Sequence, residues 1–348
     1  MKKKYIIPIF IPHWGCKNDC IFCNQRKITG KHSVITGAEV GKIIGKYLAT
    51  IPIREGREVQ VAYYGGSFTG IPLEEQKELL APAKAALDQG EIQGIRLSTR
   101  PDYINSAILT HLKSYGVTTI ELGVQSLDDQ VLTSSNRGHL AEDTYRAVEL
   151  IKNTKFTLGL QLMVGLPGDT EESFLTTINK VVDLKPDFVR IYPTLIIKDT
   201  VLAERFEKGE YLPLSLEEAI EICKKAYKKL TANGIPVIRL GLQASEEISE
   251  TGQVVAGPYH PAFRELVEAS LIRDKLKEII QRDQETGGEL VISIHPSQIS
   301  QVIGQKRSNI EFLQKEYKFE KITVLGDEKV EKGQISVKFR KNNLFNHS

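Results

Sequence analysis

Three cysteines, Cys16, Cys20 and Cys23, stand in the run His13-Trp14-Gly15-Cys16-Lys17-Asn18-Asp19-Cys20-Ile21-Phe22-Cys23. This C-x3-C-x2-C spacing gathers three thiolates around one small volume and leaves a four-coordinate site one ligand short. On a cubane iron–sulfur cluster, three thiolates hold three irons and leave the fourth open to a ligand from outside the chain. An open position marks a catalytic metal site, whereas structural sites are closed. A zinc knuckle completed by His13 satisfies the same spacing. The fourth cysteine, Cys223, lies in phase with Ala219, Ile222, Ala226, Tyr227 and Leu230 on one face of a helical segment. It reads as a buried structural thiol rather than a missing ligand.

The elements that must position such a loop follow a repeating rhythm. Short apolar, β-branched runs at 5–11, 59–64, 94–98, 118–124, 157–164 and 187–192 read as strands. Segments with i, i+3, i+4 apolar spacing follow at 38–49, 73–87, 104–115, 141–153, 171–183 and 217–232, all of helical length. Six strand–helix units imply parallel strands joined by right-handed crossovers. The run 235–240 is a candidate seventh strand with no clear unit after it. Unusual residues collect at the strand ends: the cysteine loop after the first, Gly65-Gly66-Ser67-Phe68 after the second, and Ser98-Thr99-Arg100-Pro101-Asp102 at the third. Gly123-Val124-Gln125-Ser126, Gly165-Leu166-Pro167-Gly168 and Tyr192-Pro193-Thr194 follow at the next three. In βα barrels the loops at the carboxyl ends of the strands build the active site.

The chain has 348 residues, 41% of them hydrophobic and 26% charged, which predicts one large domain plus a smaller one with a substantial core. A net charge of +2 excludes a global basic field. The charge is locally uneven, with six Lys/Arg (Lys2, Lys3, Lys4, Lys17, Arg26, Lys27) against the single acid Asp19 in residues 1–30. Three of four cysteines in one loop is metal-ligand usage, not a disulfide framework. The apolar stretch after Lys4 is broken by Pro8, Pro12 and His13 and has no small-residue cleavage site, and no run approaches the ~20 apolar residues that span a bilayer. A cytoplasmic protein with no membrane partner is expected.

With these motifs in hand, residues 5–245 resemble the radical S-adenosylmethionine (SAM) superfamily, a partial (β/α)6 barrel. More narrowly, they resemble the radical SAM half of the Elongator catalytic subunit, which modifies wobble uridine in tRNA. The stretches that carry this are Thr99-Arg100-Pro101-Asp102-Tyr103, Ile120-Glu121-Leu122-Gly123-Val124-Gln125-Ser126, Asn136-Arg137-Gly138-His139 and Met163-Val164-Gly165-Leu166-Pro167-Gly168. Lys185-Pro186-Asp187, Ile191-Tyr192-Pro193-Thr194-Leu195 and Lys208-Gly209-Glu210-Tyr211 extend it. The resemblance implies that Cys16, Cys20 and Cys23 ligate a [4Fe–4S] cluster, with SAM as the remaining ligand and Phe22 against its adenine. Gly65, Gly66 and Ser67 would present backbone to the methionine amino group, glycine permitting the close approach. Gln125, Arg137 and Gln161 match positions that contact the ribose or carboxylate of SAM. Relatives carry Glu where this chain has Ser98, an uncharged hydroxyl that can still bond a ribose. The acetyltransferase half is absent, so an acetyl-CoA-dependent reaction is not expected.

The chain is thus read as a barrel over 1–245, a helical extension or linker over 246–288 and a small α+β module over 289–348. In that module strands are predicted at 289–294, 321–325 and 334–339, with helices at 297–303 and 308–317. The run 299–310 resembles the core of a KH RNA-binding domain, where a Gly-x-x-Gly loop between two helices clamps the nucleic-acid backbone. Here the loop is Gly304-Gln305-Lys306-Arg307, with arginine at the second glycine, and the module carries ten Lys/Arg against seven acids. A packing or dimerisation module is the plain alternative. Three functions follow: a radical SAM enzyme acting on RNA, most plausibly tRNA, served by an electron donor such as flavodoxin or ferredoxin; the same chemistry on a small molecule, as in coproporphyrinogen dehydrogenase-like relatives; or a non-catalytic, metal-dependent RNA-binding protein.

Overall fold

Six apolar runs and the candidate seventh become one parallel sheet. A computed structural model describes residues 4–11, 15–16, 18–24, 35–52, 56–242 and 252–340. His13, Trp14, Lys2, Lys3, Lys17, Arg26 and Lys27 lie outside these. Strands β1 (Lys4–Ile11), β2 (Glu58–Gly65), β3 (Gly94–Thr99), β4 (Val117–Gln125), β5 (Thr157–Val164) and β6 (Phe188–Pro193) stand side by side in chain order. A short pair partner, β7 (Ile196–Ile197), follows β6, and then β8 (Val237–Leu240) joins the sheet parallel to β6. The expected six-strand barrel therefore gains Val237–Leu240, within the candidate run 235–240, as a seventh strand, and among the described residues β8 does not pair with β1, so the barrel stays open.

Helices return the chain between strands: α1 (Gly37–Thr50), α2 (Leu73–Asp88), α3 (Ser106–Ser114), a short α4 (Asp129–Ser134), α5 (Ala141–Asn153), α6 (Glu171–Leu184), a short α7 (Val201–Glu207) and α8 (Leu216–Ala232). Their starts are set by side-chain caps: Thr36 and Ser215 each close a capping box, with Glu39 and Glu218, and Asn105 accepts from the Ile108 amide. The short α4 and α7 carry too few turns to show a helical period, and no sequence expectation covered them. Strand residues alternate between the helix-covered outer face and the lumen. Ile95, Leu97, Ile120, Leu122, Leu160, Leu162, Val189 and Ile191 fill the outer face and are fully buried. A two-residue ladder between β7 and β9 (Val254–Ala256) closes the end of this unit, and Gly257 packs on Thr194 and Leu195 at the exit of β6. That packing is a sufficient structural reason for the Gly257-Pro258 turn.

The chain divides into two compact units at 261/262, rather than at 245 and 288. The helix α9 (Phe263–Asp283), expected in a linker, instead supplies Ile272, Leu276 and Ile280 to the core of the second unit. That core also holds Leu290, Ile292 and Ile294 of β10 (Glu289–Ile294), with Val302 of α10 (Ile299–Ile303) and Leu313 of α11 (Ser308–Tyr317). Strand β10 is central, parallel to β11 (Lys321–Gly326) and antiparallel to β12 (Ile335–Arg340). A three-stranded sheet needs an apolar cover on its inner face, and two short helices do not suffice. Leu276→Ala should therefore destabilise the second unit by about 2–5 kcal/mol, the cost of a buried cavity. Calorimetry resolving two transitions checks this, and an unchanged second transition would contradict it.

Candidate active site

The cysteine loop is built onto the strand ends by close backbone contact. Gly15 has φ +78°, and a Cβ there would lie 2.1 Å from the Ser67 carbonyl oxygen. A Cβ on Gly70 would lie 2.0 Å from the Gly15 carbonyl oxygen, so the two glycines let the loop seat directly on the turn after β2. On the other side, the Asn18 side chain fills the space beside Gly138. The Ile21 amide donates to the Ser135 carbonyl (3.2 Å), Asn136 Nδ2 to the Asp19 carbonyl (2.9 Å), and the Leu202 amide to the Ile21 carbonyl (2.8 Å). Ile21 and Phe22 join an apolar cluster with Ile196, Leu202, Ala203, Phe206, Tyr211 and Ala256.

Two guanidinium groups face the thiols. Arg137, nearly buried, donates from Nη1 to Cys20 Sγ (3.3 Å) and from Nη2 to the Gly123 carbonyl. Arg100 forks onto Asp102 through Nε and Nη2, both at 2.9 Å, and is close enough to influence Cys16. Burial pushes the Cys16 thiol up, opposed by Arg137, by Arg100 and by a hydrogen bond from the Ser67 backbone. Arg137 Nε and Arg100 Nη1 are buried without a partner. A [4Fe–4S] cluster on three thiolates brings net negative charge, and these cationic donors suit it. Cys16, Cys20 and Cys23 are the residues that would hold it. The side chains are not drawn together as a finished metal site: among the described residues no group of three His, Cys, Asp or Glu could hold a metal ion. Cys223 is fully buried in α8, and burial raises its thiol.

The other sequence candidates fall into three groups. Gly65 (φ +104°), Gly66 and Ser67 form the turn under the cysteine loop; the Ser67 hydroxyl is turned inward, 2.9 Å from Thr99 Oγ1 and accepting from the Arg100 amide at 3.1 Å. Gln125 sits after a register shift between β4 and β5 at φ +69°, a left-handed backbone uncommon for a side-chain-bearing residue. Its Nε2 and Arg137 Nη2 both border the space where a Cβ on Gly123 would lie. Ser98 and Gln161 point lower into the lumen, where Gln161 Nε2 donates to Ser98 Oγ and to Glu121 Oε2, both at 3.1 Å.

Sequence reading missed what lies beneath them. Glu121, with no exposure at all, receives Arg96 Nη2 (2.6 Å) and Arg190 Nη2 (3.2 Å) on Oε1. Arg190 Nε (2.6 Å) and Gln161 Nε2 reach Oε2. Four donors saturate the carboxylate. Tyr64 and Phe188 lie under the two guanidiniums. The available signal was a charged residue at an inward position in the middle of each of three apolar strand runs. His139, beside Arg100 and Arg137, is held down to about 3, chiefly by burial and then by those two cations. Its folded value lies below the ordinary imidazole range, so the stability it confers is complete above about pH 6.5 and lost as pH falls toward 3. Melting curves from pH 7 to pH 4 should show this loss, and His139→Asn should flatten it; an identical slope in the variant would refute the assignment.

Comparison with known proteins agrees with this geometry. The Radical SAM superfamily model matches residues 11–181, and the Radical_SAM C-terminal domain model matches residues 186–273. The tRNA uridine(34) acetyltransferase of Methanocaldococcus jannaschii is 39% identical over 133 residues, which are 37% of this chain and 25% of that protein. That of Methanocaldococcus infernus is 30% identical over 189 residues, 49% of this chain and 35% of that protein. This chain therefore spans only about a quarter to a third of the length of those relatives. An uncharacterised protein of M. jannaschii is 30% identical over 236 residues, covering 64% of this chain and 72% of its own. The solved structure of archaeal M. infernus Elp3 shares the fold, with a TM-score of 0.59 at 22% identity over 81% of this chain and 63% of that one. With its three-cysteine loop seated at the mouth of an open parallel barrel, the chain belongs to the radical SAM superfamily, whose enzymes use a [4Fe–4S] cluster and SAM.

Proposed function

We propose that this chain cleaves SAM reductively at a cluster held by Cys16, Cys20 and Cys23 and uses the product to modify RNA, most plausibly tRNA. When bound, the cofactors supply a one-electron cleavage that yields a 5′-deoxyadenosyl radical able to take hydrogen from an unactivated carbon. The observation that carries the reading is the seating of the cysteine loop, with Arg137 donating to Cys20 at the strand ends. Arg137 donates a hydrogen bond to the Cys20 sulfur and fixes its direction. Phe22 and its apolar neighbours exclude water from that side of the loop. Gln125, Gln161, Ser98 and the Gly65-Gly66-Ser67 turn are the proposed contacts to SAM, and Arg137 Nε offers a further donor to its carboxylate. The electron comes from an external carrier such as flavodoxin or ferredoxin.

RNA as substrate is supported by the names of the relatives, two of them tRNA uridine(34) acetyltransferases, and by the second unit. Its order β10–α10–α11–β11 brackets the loop Gly304-Gln305-Lys306-Arg307 between two helices, in the KH manner. Arg307 replaces the second glycine yet keeps φ +64°, and Lys306 lies at φ +49°. Holding two such residues left-handed costs roughly 1–2 kcal/mol each, a strain consistent with a loop shaped for a ligand. Both side chains are exposed and cationic, available to phosphates.

Anaerobic reconstitution of the full chain should give about four irons and four sulfides per protein and 5′-deoxyadenosine under strong reductant. Cys20→Ala should abolish both, and survival of either would sink the cluster assignment. For the substrate, mass spectrometry of tRNA and rRNA nucleosides from a deletion strain should reveal a missing modification. Replacing Lys306 and Arg307 together by Gln should lower RNA affinity about tenfold at moderate salt and flatten its salt dependence. Intact modifications together with unchanged RNA affinity would instead favour a small-molecule substrate.

A further inference from the structure

The lumen cluster holds more positive charge than it needs. Arg190 alone meets Glu121 in a fork, through Nε to one oxygen and Nη2 to the other. Arg96 adds one contact through Nη2, a long one from Nη1 to Gln60 Oε1 (3.4 Å), and leaves Nε buried without a partner. Two guanidiniums, only 10% and 12% exposed, thus face one carboxylate. A net buried charge is costly unless paired, and stacking of Arg96 over Phe188 and of Arg190 over Tyr64 attracts the cations without neutralising them. Gln161, Met163, Tyr64 and Tyr192, the inward residues around and above the cluster, keep some solvent exposure, so protein does not completely fill the space over it.

We infer that the Arg96–Glu121–Arg190 cluster is the floor of a binding site for a small molecule bearing a terminal carboxylate or phosphate. The proposal rests on the radical SAM reading and names the chemistry of a second ligand at that site. The surplus guanidinium supplies the charge, and the unused Arg96 Nε–H supplies a directed donor. Among the described residues, Glu121 is the only acid that pairs with either arginine. Depth selects a terminal group. Arg190 lies three residues before Pro193, the end of β6, so the floor is roughly 10 Å below the rim at ~3.3 Å per residue. A phosphodiester flanked by two nucleosides is too bulky to descend that far, whereas a terminal oxyanion on a slender molecule reaches it. An RNA base approaching from the strand ends is compatible with such a co-substrate.

The test uses the full reconstituted chain without SAM, so that its failure leaves the radical chemistry untouched. Melting temperature is followed against inorganic phosphate and against acetate, at constant ionic strength with chloride as reference, and against a uridine dinucleotide carrying only an internal phosphodiester. Saturable stabilisation by phosphate or acetate, and none by the dinucleotide, is expected. Arg96→Gln, which leaves the Arg190–Glu121 fork in place, should weaken the anion at least tenfold, while Arg96→Lys should keep it within a few-fold. Glu121→Gln should bind the anion several-fold more tightly even as the protein itself melts earlier, a sign that loss of packing alone does not give. Equal stabilisation of wild type and Arg96→Gln would mean an adventitious ion only and would overturn the proposal. So would the absence of saturation, or preference for the dinucleotide, which would assign the charge to the RNA backbone.

Discussion

A carboxylate with no solvent exposure, saturated by four donors, is the constraint around which the barrel is arranged. Glu121 projects from β4 and is held by Arg96 of β3, Gln161 of β5 and Arg190 of β6. Four adjacent strands are thereby fixed to one another across the lumen as well as along their backbone ladders. Removing Glu121 from such a buried set would leave two guanidiniums without their carboxylate, at a cost of about 3–5 kcal/mol. The geometry is also directional: a one-residue slip in any of these strands would turn its polar side chain into the apolar outer face. Register, and with it the height of every strand end, is therefore locked from inside.

That locked register is what lets the strand ends act together. The β2 turn supplies the Gly70 surface on which Gly15 rests, the end of β4 supplies the Gly123 carbonyl that orients Arg137, and Arg137 in turn addresses Cys20. The glycine contacts leave no room for a methyl group or a displaced backbone. Two cationic side chains brought close to Cys16 and Cys20 make the loop a place where negative charge is welcome, in a setting where burial by itself would keep the Cys16 thiol protonated. The same strand wall carries Gln161 and Ser98 down toward Glu121, so the candidate SAM contacts and the lumen cluster form one hydrogen-bonded system rather than two sites.

Much of this was readable along the chain. Helices announce themselves by period and by caps such as Thr36 and Ser215, and the parallel strands by short apolar runs, because both signals are local and repeat every few residues. The cysteine spacing is likewise a local statement about one loop. Other features were not readable. The helix α9 reads along the chain as a charged helical extension or linker because its apolar face, Ile272, Leu276 and Ile280, is diluted by charged residues on the other sides, and only the sheet that it covers shows the face to be a core. The short helices α4 and α7 have no period to detect. The pairing of Arg96, Glu121 and Arg190 is invisible along the chain, since the partners lie tens of residues apart.

By itself the sequence determined the element order, the three thiols and the glycines that permit a tight seat for them, since residue type and spacing act through the local backbone. Tertiary structure decided which face of each strand meets the lumen, that a seventh strand joins the sheet without closing it, and that a second guanidinium is left over beside Glu121. Those are outcomes of register among strands distant in sequence. The charge balance of an enclosed space depends on every wall at once, and no single stretch of chain carries that information.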